Sequence, residues 1–595
     1  MKQQSKRVGA SAAKGQDKDF LTRANELGEK AGDHFSTLFI RRLKNVREVR
    51  LWVVEWALLV AVVFLLTIVQ IFWYASSYET TAFAEGGDYT EASLGEVKTM
   101  NPLYASTNSE KTIARLLFAN LVSPDESGHS GMELAKSVRM DETGKNWTVT
   151  LRDNLKWSDG EPITAEDIIY TISLIDDTTA NTTILADFSR IKLEKVDDLT
   201  VIFHLPSVYN DFVDSLEFPL VPAHILKDVS PALVYEHSFS SEPVGSGPFC
   251  YKAIQTGGGN NRYLQMIYLK RNDLYFGGKT KLASFNLRTY DDAAKIVDAL
   301  NDGIISATAE SLPAESVRTR NHRVTLTNGG LYAFMNTKSD ILKSTVVRQA
   351  IQRGVDMAKL REGLDAMRYL DYPFIESQEP ELHYPELPSY SVDEAKKLLG
   401  ESKLYYDESG QLYGEDGVTA SLSLAVRKRQ PAQGIAEAFA KQLEELGFEV
   451  SLKVFDDTAP NMDFFATVLR PRDYDILFYE VDLGVSADAF VYYSSTQMSG
   501  AGWNFSNYSN ALVDDALLTA RTTLDDELRS LKLNAFLQRW VNEVPAIGIY
   551  QSAMDYYYQD NLQIYADNAR FTDALDRFRD VKYWASSRSE VKQTP

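Results

Sequence analysis

The chain has 595 residues, of which 44% are hydrophobic and 11% aromatic, so it is long and apolar enough to bury the cores of several domains. Its formal net charge is −21, and because residues 1–50 hold 12 basic and 6 acidic side chains, the remainder carries −27. A body this acidic excludes nucleic acid as an expected partner, since phosphate binding needs a basic face.

A basic segment, an apolar run and a polar tether begin the chain. Residues 1–50 are predicted to form a basic cytoplasmic tail. The run LWVVEWALLVAVVFLLTIVQIFWY, residues 51–74, is long enough at about 1.5 Å per residue to cross a hydrocarbon core of roughly 30 Å. Because basic residues precede it and acidic sequence follows, we predict a single-pass anchor in the cell membrane, a cytoplasmic N-terminus, a tether over 75–87 and a large domain outside.

A cleaved signal peptide is the alternative interpretation of this segment. Its apolar centre, Trp56 to Val69, has the length of a signal-peptide core, and Ala82-Phe83-Ala84 fits the small-residue cleavage pattern. The long leader, and the distance between the apolar run and this pattern, favour a retained anchor.

From about residue 88 to 585, short alternating strands mix with amphipathic helices, which predicts an α/β body. In NWTVTL, residues 146–151, apolar and polar side chains alternate as in a strand with one buried face. Thr164, with Asp167 three residues later, is typical of a capped helix start. Glu166 and Asp167 are therefore predicted to stabilise a helix N-terminus rather than to act in acid–base chemistry.

Two later segments have equally clear local patterns. VVRQAIQRGVDMAKL, residues 346–360, places apolar side chains at helical spacing. LEELGFEVSLKV, residues 443–454, reads as a helix closed by Gly447 and followed by a strand. A helix-to-strand step of this kind is typical of α/β architecture.

The sequence shows no motif for catalysis or cofactor binding. The seven histidines form no HExxH or other compact ligand pattern, no GxSxG elbow occurs, and GGKT at 277–280 lacks the earlier glycine of a phosphate loop. The single cysteine, Cys250, allows no intrachain disulfide and no cysteine zinc site. We therefore predict that the protein is not an enzyme and carries no cofactor and no metal.

An ordered series of motifs covers nearly all of the body. The series comprises LLFANLVSPD (116–125), MELAKSVRMDETGKNWTVTLRDNLKWSDGEPITAEDIIYTI (132–172), PVGSGPFCY (243–251), LKRNDLYFGG (269–278), MNTKSDILKSTVVRQAIQRGVDMAKL (335–360), SVDEAKKLLG (391–400), AFAKQLEELGFEVSLKV (438–454), YDILFYEVD (474–482) and NYSNALVDDALLTAR (507–521). This order resembles the family 5 extracellular solute-binding proteins, the peptide-binding receptors of ABC importers.

The resemblance implies a two-lobed α/β fold of the large, type II periplasmic-binding-protein kind, with an extra subdomain and, here, one N-terminal transmembrane helix before it. The parts would be a first lobe of residues 88–132, 240–335 and 545–585, an extra subdomain of residues 133–239, and a second lobe of residues 336–544. Crossing segments near residues 335 and 545 are the hinge candidates.

The same resemblance implies a peptide enclosed between the lobes, with main-chain hydrogen bonds along its length and a carboxylate on its ammonium terminus. In YDILFYEVD the family-like carboxylate is Asp482, and Tyr479 stands where family members often carry tryptophan. Asp488 is the second candidate, although SADAF lacks the Asp-Pro pair that often precedes an aromatic residue in the family. A strand-end loop role is the structural alternative for Asp482.

Aromatic and amide side chains complete the expected ligand site. The resemblance brings towards the cleft Tyr104, Tyr332, Trp503 and Tyr508, together with the amides of Asn336 and Asn504. Each of these residues taken alone also suits packing. An aromatic cleft would equally suit a sugar, whose apolar faces stack on rings.

We therefore expect a monomeric, membrane-anchored receptor that captures oligopeptides outside the cell and delivers them to the subunits of an ABC permease. Two alternatives remain open. One is a receptor of the same fold for a sugar or another non-peptide solute, and the other is a ligand sensor that signals through the transmembrane helix.

Overall fold

A computed structural model describes residues 50–592 except 78, 178, 181, 183–187, 189, 258–262, 365–368, 457–463, 487, 499–501, 561 and 567–569. The predicted cytoplasmic tail, residues 1–49, lies outside the described residues. The chain divides into two compact units, one of Met1–Ala82 with Ser589–Pro595 and one of Phe83–Arg588.

Helices and strands alternate along the described chain. The α-helices are α1 (Arg50–Ser77), α2 (Asn108–Leu117), α3 (Ala165–Asp176), α4 (Ala223–Leu226), α5 (Ala293–Asn301), α6 (Thr345–Gly354), α7 (Met357–Leu360), α8 (Val392–Glu401), α9 (Ala432–Glu445), α10 (Phe490–Tyr493), α11 (Ala511–Thr522) and α12 (Asp526–Glu543). The strands are β1 (Glu79–Ala84), β2 (Asp88–Leu94), β3 (Val122–Pro124), β4 (Ser130–Met132), β5 (Ala135–Met140), β6 (Asn146–Leu151), β7 (Lys192–Lys195), β8 (Thr200–His204), β9 (Phe249–Thr256), β10 (Gln265–Arg271), β11 (Ser284–Tyr290), β12 (Ala307–Thr308), β13 (Asn321–Met335), β14 (Leu404–Tyr406), β15 (Leu412–Gly414), β16 (Ser421–Arg427), β17 (Glu449–Phe455), β18 (Ile476–Asp482), β19 (Ala546–Tyr558) and β20 (Ser587–Lys592).

The first unit contains the apolar helix α1, and β1 pairs with β20. The apolar part of α1, Arg50–Trp73, is 24 residues long, and none of its most apolar window is buried against other described residues. Length and composition therefore make α1 a candidate membrane span, and a signal sequence near an N-terminus would have the same properties.

The second unit is built on a ten-stranded mixed sheet with the strand order β17-β16-β18-β13-β19-β12-β2-β11-β10-β9. The pairs of β16 with β17 and β18, and of β2 with β11 and β12, are parallel, whereas β13 runs antiparallel to both β18 and β19. A separate four-stranded antiparallel sheet has the order β5-β6-β8-β7. The unit is thus of the α/β type, as the sequence predicts.

Hydrophobic side chains form separate cores along this sheet. The first core joins the four-stranded sheet, α2 and α3 to the β9–β11 side of the large sheet. The second core covers both faces of the β13–β18 side, where Leu331 and Ala333 pack with α9 on one face and Tyr332 and Phe334 pack with α12 on the other. This alternation follows from the two-residue period of a strand that is buried on both faces.

The two long strands β13 and β19 pass from one core to the other. In β19, Tyr550 packs in the second core and Met554 in the first. The β13–β19 ladder shifts register between Leu326 and Gly330, at the same level of the sheet. The two strands therefore pass from one core to the other at residues 327–330 and 551–553. These positions lie a few residues from the predicted crossings near 335 and 545, because both strands continue through the crossing instead of ending there.

The local sequence predictions for the body are confirmed. NWTVTL forms β6, and α3 begins after Thr164, whose amide donates to Asp167 Oδ2 at 2.8 Å. Asp167 is 3% exposed and also accepts a hydrogen bond from the Ala223 amide, so its role is structural. The helical spacing predicted over residues 346–360 forms two helices, α6 and the short α7, which are separated at Val355 and Asp356. Gly447, at φ +98°, ends the α9 region before β17, as predicted.

Candidate functional site

Asp482 is the last residue of β18, and its side chain is exposed to water. Its Oδ1 accepts a hydrogen bond from the Gly484 amide at 2.8 Å, and its carbonyl accepts one from the Tyr492 hydroxyl. Surrounding protein nevertheless raises the pKa of the carboxyl by desolvation, against the lowering effects of the Gly484 amide and of Lys111. The Asp482 carboxylate therefore opens onto a water-accessible space that neighbouring protein approaches closely.

The backbone of Asn328 holds a second acidic segment next to Asp482. The Asn328 amide donates to the Thr572 carbonyl at 2.8 Å, and the Asn328 carbonyl accepts from the Leu483 amide at 2.7 Å. Asp573, which follows Thr572, therefore lies beside Asp482. Burial and the charge of Asp482 raise the pKa of Asp573.

Helix α2 brings a cation to the same space. Arg577, in the 3-10 helix Ala574–Phe578, donates to Glu91 Oε1 at 2.6 Å and to Thr112 Oγ1 at 3.2 Å, and both acceptors are buried. This connection fixes α2 against the acidic segment. Lys111, next to Thr112 and exposed, lowers the pKa of the two carboxyls described above.

Glu217 completes the acidic lining. It follows the 3-10 helix Phe212–Leu216 and is exposed to water, yet desolvation by protein raises its pKa well above the usual range. Neighbouring carboxylates add to this rise, and Arg115, which is ion-paired to Glu133 at 2.9 Å, opposes it. The carboxylates on this space, called the acidic cluster below, are those of Glu217, Asp482, Asp573 and Asp576.

An aromatic wall adjoins the acidic cluster. The ring centroid of Tyr479 lies 5.1 Å from that of Phe505 and 6.4 Å from that of Trp503. Trp503 in turn lies 6.5 Å from Tyr492, which bonds to the Asp482 carbonyl. The Arg427 guanidinium lies 5.3 Å from the Tyr479 ring centroid. The wall, Tyr479, Tyr492, Trp503 and Phe505, thus continues from the carboxylate at the end of β18.

Asp488 takes part in a contact between the two cores. Its Oδ2 lies 3.2 Å from Arg521 Nε and accepts a hydrogen bond from the Tyr209 hydroxyl at 3.4 Å. The Arg521 guanidinium lies 4.3 Å from the Tyr209 ring centroid, and the Asn210 amide donates to the Arg521 carbonyl at 3.3 Å. Tyr209 packs on the first core, whereas Arg521 lies in α11, which packs in the second. These residues define the cross-core contact, made by residues 208–214 on one side and by Asp488 and residues 521–529 on the other.

A second ion pair reinforces the cross-core contact. Arg529 binds Glu379 through two hydrogen bonds of 2.6 and 3.0 Å and lies 3.9 Å from Asp211. Burial raises the pKa of Asp211 to about 6, against the lowering effect of Arg529. Asp211 and Asp488 each lie six residues from a member of the acidic cluster, Glu217 and Asp482 respectively. The segments that make the contact are therefore close in sequence to two members of the cluster.

Three of the predicted ligand contacts are buried among protein atoms instead. Tyr332 is 1% exposed and donates to the Tyr372 carbonyl. Asn504 is 0% exposed, and both of its amide atoms are hydrogen-bonded within its own loop. Asn336 donates to the Tyr474 carbonyl and accepts from neighbouring donors. These side chains stabilise local structure, so we remove them from the candidate site.

Tyr104 also packs away from the acidic cluster. It is 6% exposed in the first core, and its ring lies edge-on to Tyr235 at 5.3 Å. Among the described residues, none of its contacts is with the cluster or the aromatic wall. Of the residues predicted from sequence, the structure brings together Asp482, Tyr479 and Trp503, and it places Asp488 at the cross-core contact.

Sequence reasoning missed the other half of the lining: Lys111, Glu217, Tyr492, Asp573 and Asp576. No local pattern marks them, because each gains its place through tertiary contacts: Lys111 lies in the regular helix α2, and the others lie in loops or short helices. The one available signal is the resemblance itself, which covers the segments on both sides of the space.

Comparisons with known proteins identify the fold. Residues 131–503 match the model for bacterial extracellular solute-binding proteins, family 5 Middle. The oligopeptide-binding protein AppA of Bacillus subtilis is 25% identical over 525 residues, which cover 84% of this chain and 92% of the relative.

Solved structures agree with this match. The AppA structure from Bacillus subtilis in complex with a nonapeptide superposes with a TM-score of 0.70 at 23% identity, over 85% of this chain and 99% of that one. NikZ from Campylobacter jejuni in complex with Ni(L-His) superposes with a TM-score of 0.69 at 20% identity, over 84% of this chain and 99% of that one. At these identities the superpositions show a shared solute-binding fold.

Proposed function

Because this chain belongs to family 5 of the bacterial extracellular solute-binding proteins, we propose that it is a membrane-anchored, extracellular receptor that captures oligopeptides for an ABC importer. The observation that carries the proposal is the position of Asp482, a water-accessible carboxylate at the end of β18 beside an aromatic wall. Such a carboxylate forms charge-assisted hydrogen bonds with an ammonium terminus. Aromatic faces next to it pack against the side chains of a bound peptide.

The arrangement of the cores supports capture by closure. In this proposal the second core belongs to one lobe, residues 336–544, and the first core to the other lobe with its extra subdomain, residues 133–239. The crossing strands β13 and β19 form the hinge, and the cross-core contact holds the lobes together. A ligand that touches both sides of the acidic cluster favours the closed state, which is the state a permease subunit would recognise.

Helix α1 serves in this proposal as the anchor. Its exposed apolar surface and its length suit a bilayer, and the basic residues before it suit a cytoplasmic N-terminus. Anchoring keeps the receptor at high local concentration beside its permease. The body needs no catalytic group for this role, in line with a family of transport receptors.

The test is native mass spectrometry of the full chain in detergent, followed by denaturing release and identification of the co-purified ligand. Asp482→Ala is compared with Asp340→Ala, because the Asp340 side chain is fully exposed and pairs only with the surface residue Lys343 among the described residues. We expect mixed short peptides on the wild type and on Asp340→Ala, and their loss from Asp482→Ala.

Other outcomes are decisive against the proposal. Release of a sugar or a single metabolite in place of peptides would show that the receptor binds a non-peptide solute. Peptides retained in full by Asp482→Ala would remove Asp482 from the role of ammonium ligand.

A further inference from the structure

The cross-core contact holds more carboxylates than cations among the described residues. Two carboxylates lie on the side of the first core and two on the side of the second, and both guanidiniums belong to the second side. These groups are Asp211 and Asp214 on the first side, with Glu379, Asp488, Arg521 and Arg529 on the second. With four carboxylates and two guanidiniums ionised, the contact has a net charge of −2, and repulsion between its carboxylates opposes it.

Asp211 is the carboxylate of this contact whose charge is compensated least. The two terminal nitrogens of Arg529 donate to the two oxygens of Glu379, at 3.0 and 2.6 Å, in a bidentate pair. Asp211 lies 3.9 Å from the same guanidinium, which is beyond hydrogen-bond distance. Its side chain accepts no hydrogen bond from any residue that the structure describes, whereas Asp214 accepts one from the Ser130 hydroxyl.

Asp211 nevertheless lies inside the contact. Asn210, the residue before it, donates its amide to the Arg521 carbonyl at 3.3 Å, and only 27% of the Asp211 side chain is exposed. Burial raises the pKa of Asp211 to about 6; Arg529 opposes this rise, and the three neighbouring carboxylates add to it. Separation of the two sides would return the carboxyl to water, where its ordinary pKa is 3.8.

We propose that ionisation of Asp211 weakens the cross-core contact, so that the lobes close more readily in mildly acidic than in neutral solution. The closed state binds the proton more tightly than the open state does. Closure is therefore favoured as the pH falls, and this advantage is lost as the pH rises through the pKa of about 6. The inference rests on the lobe closure of the proposed function and not on the identity of the ligand.

The test measures the ratio of closed to open molecules in the unliganded full chain in detergent by pulsed electron paramagnetic resonance. Spin labels are attached at Glu142→Cys, in the exposed turn between β5 and β6, and at Glu408→Cys, in the exposed turn between β14 and β15. Cys250→Ser removes the natural thiol from this labelled protein. Because no ligand is present, groups that meet a ligand do not contribute to the pH dependence of closure.

A carboxyl that titrates at about 6 in the closed state and at 3.8 in the open state changes the closing equilibrium about tenfold between pH 7.5 and pH 5. Since Asp211 is partly exposed, solvent screening reduces this effect, and the closed-to-open ratio should be about three- to tenfold higher at pH 5. Asp211→Asn keeps the shape of the side chain but does not ionise, so it should show less than half of the wild-type change. Asp340→Asn, at a fully exposed position outside the contact, should show all of it.

Two results would overturn the inference and leave the peptide receptor intact. One is a change of less than about threefold in the labelled protein without further substitution. The other is a change in Asp211→Asn that is at least half as large as in that protein. A single label distance at every pH that bound peptides also leave unchanged would instead exclude lobe closure, and with it the proposed function.

Discussion

Asp482 is expected to make ligand binding depend on pH. Desolvation raises its pKa above the ordinary value of 3.8 in the unliganded protein. An ammonium terminus favours the ionised form, so binding lowers this pKa and releases a proton. The affinity for a peptide should therefore rise with pH and level off once the pH exceeds the pKa of unliganded Asp482. Calorimetry in two buffers of different ionisation enthalpy measures the released protons.

The control for this pH effect is Asp482→Asn, whose amide oxygen still accepts a hydrogen bond. Asp576, whose pKa burial raises to about 6, and Asp573 remain in the variant and continue to titrate. Proton release should therefore fall in Asp482→Asn without disappearing. Equal proton release by the variant and the wild type would show that Asp482 does not meet the ligand's charge.

The family resemblance pointed to Asp482 and Tyr479 because both lie in one motif, YDILFYEVD, which forms a single strand. Trp503, which the resemblance also placed near the ligand, packs near the Tyr479 ring. Asp482 and Asp573 lie far apart in sequence, and the backbone hydrogen bonds of Asn328 bring their segments together. Asn504 is buried and does not face the candidate site. Its side-chain amide is hydrogen-bonded within its own loop, which a sequence motif does not show.

At the scale of elements, the crossing of β13 and β19 depends on close backbone packing at Gly330. A Cβ there would lie 2.3 Å from Leu370 Cδ2 and 2.6 Å from the Tyr550 carbonyl oxygen, and the latter belongs to a paired strand that has little freedom to move. Gly330→Ala should therefore lower the free energy of unfolding by about 1–3 kcal/mol. Denaturant unfolding followed by circular dichroism measures the change.

Gly400→Ala is the matched control for this crossing. Gly400 lies in α8 with open space around the site of a Cβ, so alanine should be neutral or stabilise the helix by up to about 1 kcal/mol. If Gly330→Ala were as stable as Gly400→Ala, close backbone packing at the crossing would not contribute to the free energy of unfolding.

Regular elements were the part of the fold that the sequence predicted best. The periods of β6, α3 and α6 and the glycine after α9 are local signals, and the structure has these elements where they were expected. The predicted crossings near residues 335 and 545 lie a few residues after and a few residues before, respectively, the points where β13 and β19 pass between the cores. The position of this crossing depends on which core each side chain packs in. A strand that is buried on both faces shows no change in its pattern of apolar residues at that point.

At the scale of the whole molecule, the cross-core contact should control how long a ligand stays bound. Arg521 holds Asp488 at 3.2 Å, stacks on Tyr209 and accepts a backbone hydrogen bond from Asn210, so one side chain and its backbone join the two cores. Arg521→Ala removes the ion pair and the stacking but leaves the acidic cluster and the aromatic wall in place. The closed state then loses stability relative to the open state, and ligand dissociation should become about three- to tenfold faster.

Stopped-flow displacement of a fluorescent peptide measures this dissociation rate, and small-angle scattering of the unliganded protein reports the accompanying opening as a larger radius of gyration. Arg318→Ala, an exposed arginine outside the contact, is the control and should match the wild type in both measurements. The contact is only partly buried, with side-chain exposures of 27% for Arg521 and 17% for Asp488, so salt should also speed dissociation from the wild type and should affect Arg521→Ala less. Dissociation from Arg521→Ala at the wild-type rate would mean that the hinge strands and the ligand alone hold the lobes closed.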